Sequence, residues 1–584
     1  MRILALFFCL FWQTAWSAEW DEAGWRALLH FEGSRSTVAP GHFFLSPNGH
    51  ENAEAEWMAT LQFFQEKPAE AACRYPARAL YLKRLGHSIL EPNCEKFQKW
   101  RAAIEPKGLE LVFAAAYINS PSSMYGHTLL KFPRAGKTEG QELLDYTLNF
   151  GAETGDAGGA TYVWRGLTGG FPGYFSTAPF YLKVKEYNYV ENRDFWIYPL
   201  RLTPEELELL LRHAWELREV QFPYFFLRKN CAYFLLEFLE VARPGQGLTK
   251  NFPFWAVPMD TIRLLQAGAW LGEPKLRPSR YKMLQSRRAL LTKNETAALS
   301  DLLEQNKIPA LQPERAALVL DAAYELLRFH TEGKIVTVAA KELEKSILLE
   351  RAKYPEAKQE FLYQEKSPEQ GHKTGRASFS YGKNRLRDFA EFSYRGTLHD
   401  LLSDPLGYED YSELSMGDLR FRKEGKRFFL ERADILRLRS LSPWEPWIPK
   451  RSWSFKSGFA RAKELDCADW KCLYGNLQGG MGASVKLGPV LFFSLAELDL
   501  QLGGVFQKDF RLLAGASLGI STPLWPKARL LAEAEPRWRL LGDKRTPRSY
   551  RVGLAQSLGK WEIRLSAEKN RALRETLLGA YFYF

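Results

Sequence analysis

The sequence predicts a multidomain chain: an α+β domain with helical flanks, followed by an antiparallel transmembrane β-barrel of about twelve strands. Three observations carry that expectation. Hydrophobic residues recur at helical spacing up to about residue 105, strand and helix signals mix from there to about 245, and the period becomes two after about 375. The late strands have one apolar, aromatic-edged face and one charged face. At 584 residues the chain is also too long for one ordinary domain.

The elements are read in chain order. Met1-Arg2-Ile3-Leu4-Ala5-Leu6-Phe7-Phe8-Cys9-Leu10-Phe11-Trp12 is one charge followed by an apolar core, and Ala15-Trp16-Ser17 supplies the small residues that a signal peptidase reads. Residues 1–17 are therefore expected to be a secretory signal peptide cut after Ser17. The apolar run is shorter than the ~20 residues a spanning anchor needs, and the mature chain is expected to be exported. Residues 18–105 form a helical region, with Trp20–Phe31, Glu51–Gln65 and Ala77–Leu85 as amphipathic segments.

Residues 106–245 hold the mixed domain. Leu109–Tyr117, His127–Phe132, Leu143–Phe150, Tyr181–Tyr189 and Asp194–Leu200 read as strands, and Gly151–Gly173 as a long loop rich in glycine and aromatics. Thr203-Pro204-Glu205-Glu206 starts a helix: a threonine cap, proline in the first turn and acids at the positive end. A second helix opens at Cys231. Residues 246–374 form a charged helical connection, including Asn294–Glu304 and Pro313–Phe329, with no recognisable chemistry. His330 and His372 read there as solvated or capping residues. No cluster of Cys, His and Asp has metal-ligand spacing, so no metal or other cofactor is expected.

In residues 375–584, Ala390, Phe392 and Tyr394 alternate with Glu391, Ser393 and Arg395; Ala496, Leu498, Leu500 and Leu502 alternate with Glu497, Asp499 and Gln501; Trp561, Ile563, Leu565 and Ala567 alternate with Glu562, Arg564, Ser566 and Glu568. A soluble barrel or sandwich puts its apolar face inward. Charge on the opposite face fits a lumen, with the apolar face turned to lipid. The terminal run Tyr581-Phe582-Tyr583-Phe584 resembles the closing strand of bacterial outer-membrane proteins. Leu398–Tyr411 and Leu441–Arg451 are long for the periplasmic side, so either the count is off by one hairpin or these loops support the preceding domain. The net charge of +12 suits solubility or an anionic membrane surface and calls for no nucleic-acid partner.

Export changes how the cysteines read. Cys73 with Cys94, and Cys467 with Cys472, are local pairs able to close loops in an oxidising compartment. Cys231 is left over, as an inert core thiol or a nucleophile. Its place at a helix start, where the dipole and free N–H groups favour a thiolate and could receive an oxyanion, selects the nucleophile. His127, about a hundred residues upstream, is the natural base. If 127–132 and 143–150 form a hairpin, Asn149 lies near His127 and can orient the ring, or it is merely a turn residue before Gly151. Ser120, Ser122, Ser123 and Tyr125 either order the site and contact substrate or form a structural turn. Asn230 reads as a helix cap. Tyr181, with Trp164, Phe171, Tyr174, Phe175 and Phe180, could line an acyl-chain groove or pack a core.

The order of a strand histidine, then Asn230-Cys231-Ala232-Tyr233-Phe234 at a helix head, resembles the permuted papain-like fold of lecithin:retinol acyltransferase and related NlpC/P60-type enzymes. More specifically, Tyr117–Thr128 and Arg228–Glu240 resemble the bacterial Lnb N-terminal periplasmic domain, over about residues 70–270. That resemblance implies a lipoprotein N-acyltransferase with Cys231 as nucleophile and His127 as base, a phospholipid as acyl donor and a diacylglyceryl lipoprotein N-terminus as acceptor. Where the eukaryotic motif has Glu-His after its cysteine, this chain has Ala232-Tyr233, and a fused barrel is not part of that pattern. The expected location is the outer membrane, with the catalytic domain in the periplasm. A Cys-His peptidase or amidase acting on peptidoglycan, and a non-catalytic barrel with a binding domain, are the competing readings.

Overall fold

The computed structural model describes residues 21–115, 125–134, 136, 141–308, 310–354, 366–384, 387–462, 470–570 and 573–584. The signal peptide, Ser120, Ser122, Ser123 and Cys467 lie outside the described residues.

The N-terminal helices form where apolar spacing and caps agree. Asn52 caps Ala53–Glu66 by accepting from the Ala55 N–H, and Pro68 and Pro76 each open a helix at its first turn, where no backbone donor is lost. Trp25 stands edge-on to Trp57 and stacks on Tyr81 inside this layer. Cys73 is disulfide-bonded to Cys94, and Cys472 is also in a disulfide.

The central sheet has seven antiparallel strands: β1 (Glu110–Ala114), β2 (His127–Phe132), β3 (Tyr146–Ala152), β4 (Phe171–Pro179), β5 (Phe195–Pro199), β6 (Gln221–Tyr224) and β7 (Lys275–Arg277). Their order across the sheet is β6-β4-β3-β2-β1-β5-β7. Three helices matter to the site: α1 (Gly159–Thr168), α2 (Pro204–Glu216) and α3 (Cys231–Glu240). The Thr203 capping box opens α2 as expected.

Two expectations are corrected here. Tyr181–Tyr189 is not a strand: Phe180–Lys183 is helical and Val184–Val190 continues as a π-helical turn. Phe180, Val184 and Tyr187 recur at i, i+4 and i+7 and pack together against Val112, Leu129 and Ile197 of the sheet, so tertiary burial overrides the local strand preference. Gly151–Gly173 is not one loop either. It contains α1, stopped by Gly169 in the left-handed region (φ 79°), and the start of β4.

One buried polar network fastens the N-terminal helices to α2 and α3. Glu237 accepts from Thr37 Oγ1 (2.8 Å) and lies 3.0 Å from His30 Nδ1, while His30 Nε2 is 2.9 Å from His213 Nε2. Burial, and then the neighbouring His30 and Arg78, hold His213 well below the ordinary histidine range, so it stays neutral.

Residues 376–583 close into a barrel of twelve antiparallel strands: β8 (Arg376–Asn384), β9 (Asp388–His399), β10 (Ser412–Glu424), β11 (Arg427–Ser440), β12 (Ser452–Arg461), β13 (Leu473–Leu487), β14 (Val490–Leu502), β15 (Phe510–Pro523), β16 (Ala528–Gly542), β17 (Arg548–Leu558), β18 (Trp561–Lys569) and β19 (Arg574–Tyr583). Pairing of β8 with β19 closes it. Arg422, Arg439 and Arg537 turn into the lumen, where Glu575, Glu533 and Glu497 neutralise them. Phe379, Phe392, Leu498, Leu565 and Leu578 are exposed on the outside.

The strand count of about twelve holds, so the long periplasmic loops have work of their own. After β9 the chain folds back into the lumen, and Asp400 accepts from Arg376, Arg395 (2.9 Å) and Arg564 (2.9 Å). His372 is neither solvated nor a helix cap: it stacks on His399 and Tyr408 and lies tilted against Tyr583, with one ring nitrogen 3.0 Å from His399. His330 is exposed at a helix end, as expected.

The two halves share a core. Because Arg437 and Arg439 face the lumen, Leu436 and Leu438 face outward, as do Trp453 and Phe455 beside inward Ser454 and Lys456. These outward residues, with Leu414, pack into the hydrophobic cluster that also holds Phe113, Phe234 and Met259. The N-terminal half therefore grips the outer wall of β9–β12.

Candidate active site

Cys231 is the first residue of α3. Asn230 sets that start: its Oδ1 accepts from the N–H groups of Ala232 (3.1 Å) and Tyr233 (3.3 Å), and its Nδ2 donates to Ala256 O (2.8 Å) and Phe226 O (3.2 Å). The cap is thereby fixed on both sides, and α3 is buried from Cys231 to Leu239. Its Phe234 ring lies 4.4 Å from Phe150 of β3.

The sheet opens where α3 begins. β2 and β3 pair only over residues 130–132 and 146–148. Beyond that, β2 stays with β1 while β3 stays with β4. Cys231 sits at this gap, with Thr128 Oγ1 4.0 Å from Sγ and His127 within hydrogen-bonding reach. His127 and Asn149 lie on the same face of the diverging strands, and Nε2 of the ring is 2.6 Å from Asn149 Oδ1. That leaves Nδ1 for the sulfur. The Tyr187 ring lies against the imidazole at 5.2 Å and shields it from the other side.

The electrostatics are those of a coupled pair. Burial pushes the Cys231 thiol up, but the His127 charge, its hydrogen bond and the bonds from Thr128 together outweigh burial and bring it down to about 7. For His127, burial pulls down, while the thiolate charge, the bond to sulfur and the Asn149 amide push up, and the net direction is upward. A thiolate–imidazolium pair is thus accessible near neutral pH.

Of the residues singled out from the sequence, Cys231, His127 and Asn149 come together. Tyr125 packs against the core shared with the barrel, its phenol facing Thr397 of β9. Tyr181 is exposed beside buried Phe180. Three further residues at the site were not singled out. Thr128 touches the sulfur, Tyr187 covers the imidazole, and the Tyr224 phenol is within hydrogen-bonding reach of the Cys231 backbone amide. Thr128 had a signal, since it follows the histidine. Tyr187 was hidden by the misread strand, and nothing in the run Gln221–Tyr224 points to a site.

A thiol, an imidazole and an amide in this order are the groups that acyl transfer through a thioester requires. Asn149→Ala removes a hydrogen bond to a ring that becomes charged, an interaction of about 1.5–3 kcal/mol. The expected result is roughly a ten- to hundredfold slower alkylation of Cys231 at pH 7, measured by iodoacetamide labelling, with the barrel's thermal stability unchanged.

Residues 96–268 match the family model of the Lnb N-terminal periplasmic domain. Residues 365–583 match a domain of unknown function (DUF7840), and residues 20–85 another (DUF7843). No curated protein sequence matches the chain. Solved structures similar to 36% of this chain include LpxR from Salmonella typhimurium (12% identity, 100% of that chain, TM-score 0.23) and the outer membrane protein OmpT of Vibrio cholerae (8% identity, 98% of that chain, TM-score 0.19). A KdgM porin in complex with oligogalacturonate is similar at 6% identity over 36% of this chain and 99% of that one, TM-score 0.23. An apolar belt outside, paired charges inside and a domain gripping one end make this an outer-membrane β-barrel protein, with a periplasmic domain that matches the Lnb N-terminal periplasmic domain over residues 96–268.

Proposed function

We propose that the periplasmic domain is a thiol-dependent acyltransferase of permuted papain-like type, moving an acyl chain from a phospholipid to the N-terminal amine of diacylglyceryl lipoproteins. The observation that carries this reading is the Cys231–His127–Asn149 arrangement, held in a domain fixed to the membrane that contains both substrates. In the first step the Cys231 thiolate attacks an ester carbonyl of the phospholipid. The tetrahedral intermediate collapses to a thioester, and the His127 imidazolium gives its proton to the departing lysophospholipid oxygen. In the second step the α-amine attacks the thioester, His127 accepts the amine's proton, and the thiolate leaves.

The N–H groups of Ala232 and Tyr233 are committed to Asn230, so they are not free for the oxyanion. The Tyr224 phenol oxygen is in reach of the Cys231 N–H, and its O–H is the hydroxyl beside the nucleophile that could donate to the developing charge in this scheme. Anchoring the domain raises the effective concentration of both substrates.

The test is mass spectrometry of lipoprotein N-terminal peptides from cells making the wild-type chain or Cys231→Ala. The expected result is an N-acyl group with the wild type and none with the variant. An N-acyl group that persists with Cys231→Ala overturns the proposal, and unchanged lipoproteins with altered muropeptides would assign the same residues to a peptidoglycan amidase.

A further inference from the structure

Two exposed apolar elements flank the segment that leads into Cys231. Phe254 is 73% exposed, and its neighbour Trp255 lies on the barrel. A Cβ at Gly396 would collide with the Trp255 ring, and one at Gly417 would come within 3.9 Å of it. Arg395 faces the lumen and holds Asp400, so Gly396 presents its bare side outward, and Trp255 sits on the lipid-facing wall of β9 and β10. The second element is α1, on which Trp164 is 69% exposed and Val163 and Leu167 are exposed beside it, while Tyr162 turns inward onto Phe226.

Both elements are tied by backbone hydrogen bonds to residues 225–230. The Phe226 N–H donates to Gly166 O of α1 (2.8 Å), and the Ala256 N–H donates to Leu227 O (2.8 Å). The Asn230 side chain, which caps α3, donates to Ala256 O.

The height of Trp255 relative to the bilayer is set by the barrel. Tyr394, two residues before Gly396 and also outward, lies 6.0 Å from Phe584. Phe584 continues to Phe582 (6.4 Å) and Trp561 (4.9 Å from Phe582). Such a ring of aromatics marks the membrane interface of an outer-membrane barrel. Two residues along a strand are about 7 Å, so Trp255 lies at the edge of this ring, and Phe254 beside it stands exposed among the described residues.

We infer that Phe254 and the Val163–Trp164–Leu167 face of α1 insert into the periplasmic leaflet of the outer membrane, forming the doorway through which a phospholipid ester of that leaflet reaches Cys231. The occupant is lipid because Trp255, the neighbour of Phe254, lies on the barrel's own lipid-facing wall and α1 is tied to the same segment through Phe226, and an aqueous protein partner would have to cross that boundary. The doorway's purpose rests on the acyl-transfer proposal, but its position in the membrane does not.

The experiment reads position without catalysis. In the full chain carrying Cys231→Ser, a single cysteine is introduced as Phe254→Cys, Trp164→Cys, Leu565→Cys or Ile335→Cys and labelled with an environment-sensitive fluorophore. The protein is reconstituted in phosphatidylcholine bilayers containing lipids brominated near the headgroup end of the acyl chain. Leu565 on the outer wall is the lipid reference, and Ile335, fully exposed in the helical connection, is the water reference. The expected result is that labels at 254 and 164 lose most of their fluorescence to bromolipid and are shielded from aqueous iodide, as at 565. Either label behaving as at 335 overturns the inference. Neither outcome touches the acyl-transfer proposal, which stands or falls on the lipoprotein peptides.

Discussion

Replacing His127 with alanine is expected to leave Cys231 mostly protonated and slow to react at neutral pH. With the thiol at about 7, about half of it is thiolate at pH 7. Without His127 the attraction and its hydrogen bond are lost, burial is opposed only by the Thr128 hydrogen bonds, and the thiol rises toward the ordinary value of about 8.5. The thiolate fraction at pH 7 then falls toward about 3%. Alkylation should slow by roughly fifteenfold, and acyl transfer, which also loses its proton carrier, by roughly 10²–10⁴. The sign follows from the direction of the shift. In the wild type, reactivity appears as pH rises through about 7, and in the variant the same rise moves to higher pH. A His127→Ala protein whose alkylation midpoint stays near neutrality would show that the imidazole does not set the thiol.

Asp400→Asn should weaken the barrel more than any other single change to its lumen charges. Asp400 answers three guanidiniums at once, those of Arg376, Arg395 and Arg564. Asparagine keeps the shape and removes the charge, leaving those cations close together with little solvent. Removing one partner of a buried ion pair costs about 3–5 kcal/mol. The temperature at which the folded barrel loses its fast mobility on a denaturing gel should drop markedly. Asp388→Asn, at an exposed strand end, is expected to change stability by less than about 0.5 kcal/mol. Equal behaviour of the two variants would remove Asp400 from the forces that hold the lumen together.

Much of this architecture is legible in residue order because barrels obey a strict rule. A strand with lipid on one side and water on the other must alternate, and Trp561–Glu568 alternates throughout. Asn149 beside His127 was legible from the hairpin that sets their strands side by side, and Cys231 from a different source, a leftover thiol at the head of a helix. What failed has a common cause. Tyr181–Tyr189 alternates well enough to pass for a strand, and only its Phe180, Val184 and Tyr187 spacing, together with the sheet face they cover, makes it helical. α1 was missed because Val163, Trp164 and Leu167 stay exposed on it and its run is rich in glycine, so no buried apolar stripe marks it as a helix. The grip of the N-terminal half on Leu414, Leu436 and Leu438 was invisible, since residues that face lipid and residues that face a partner are chemically alike.

That grip has a consequence for biogenesis. The first half of the polypeptide leaves the ribosome before any barrel strand has been made. Part of its hydrophobic interior is built from Leu414 and Leu438, which arrive hundreds of residues later. Until the later strands have zipped shut, the earlier half travels with one flank uncovered, a surface that a soluble chaperone would recognise. Completion of the periplasmic half thus becomes a readout of successful insertion.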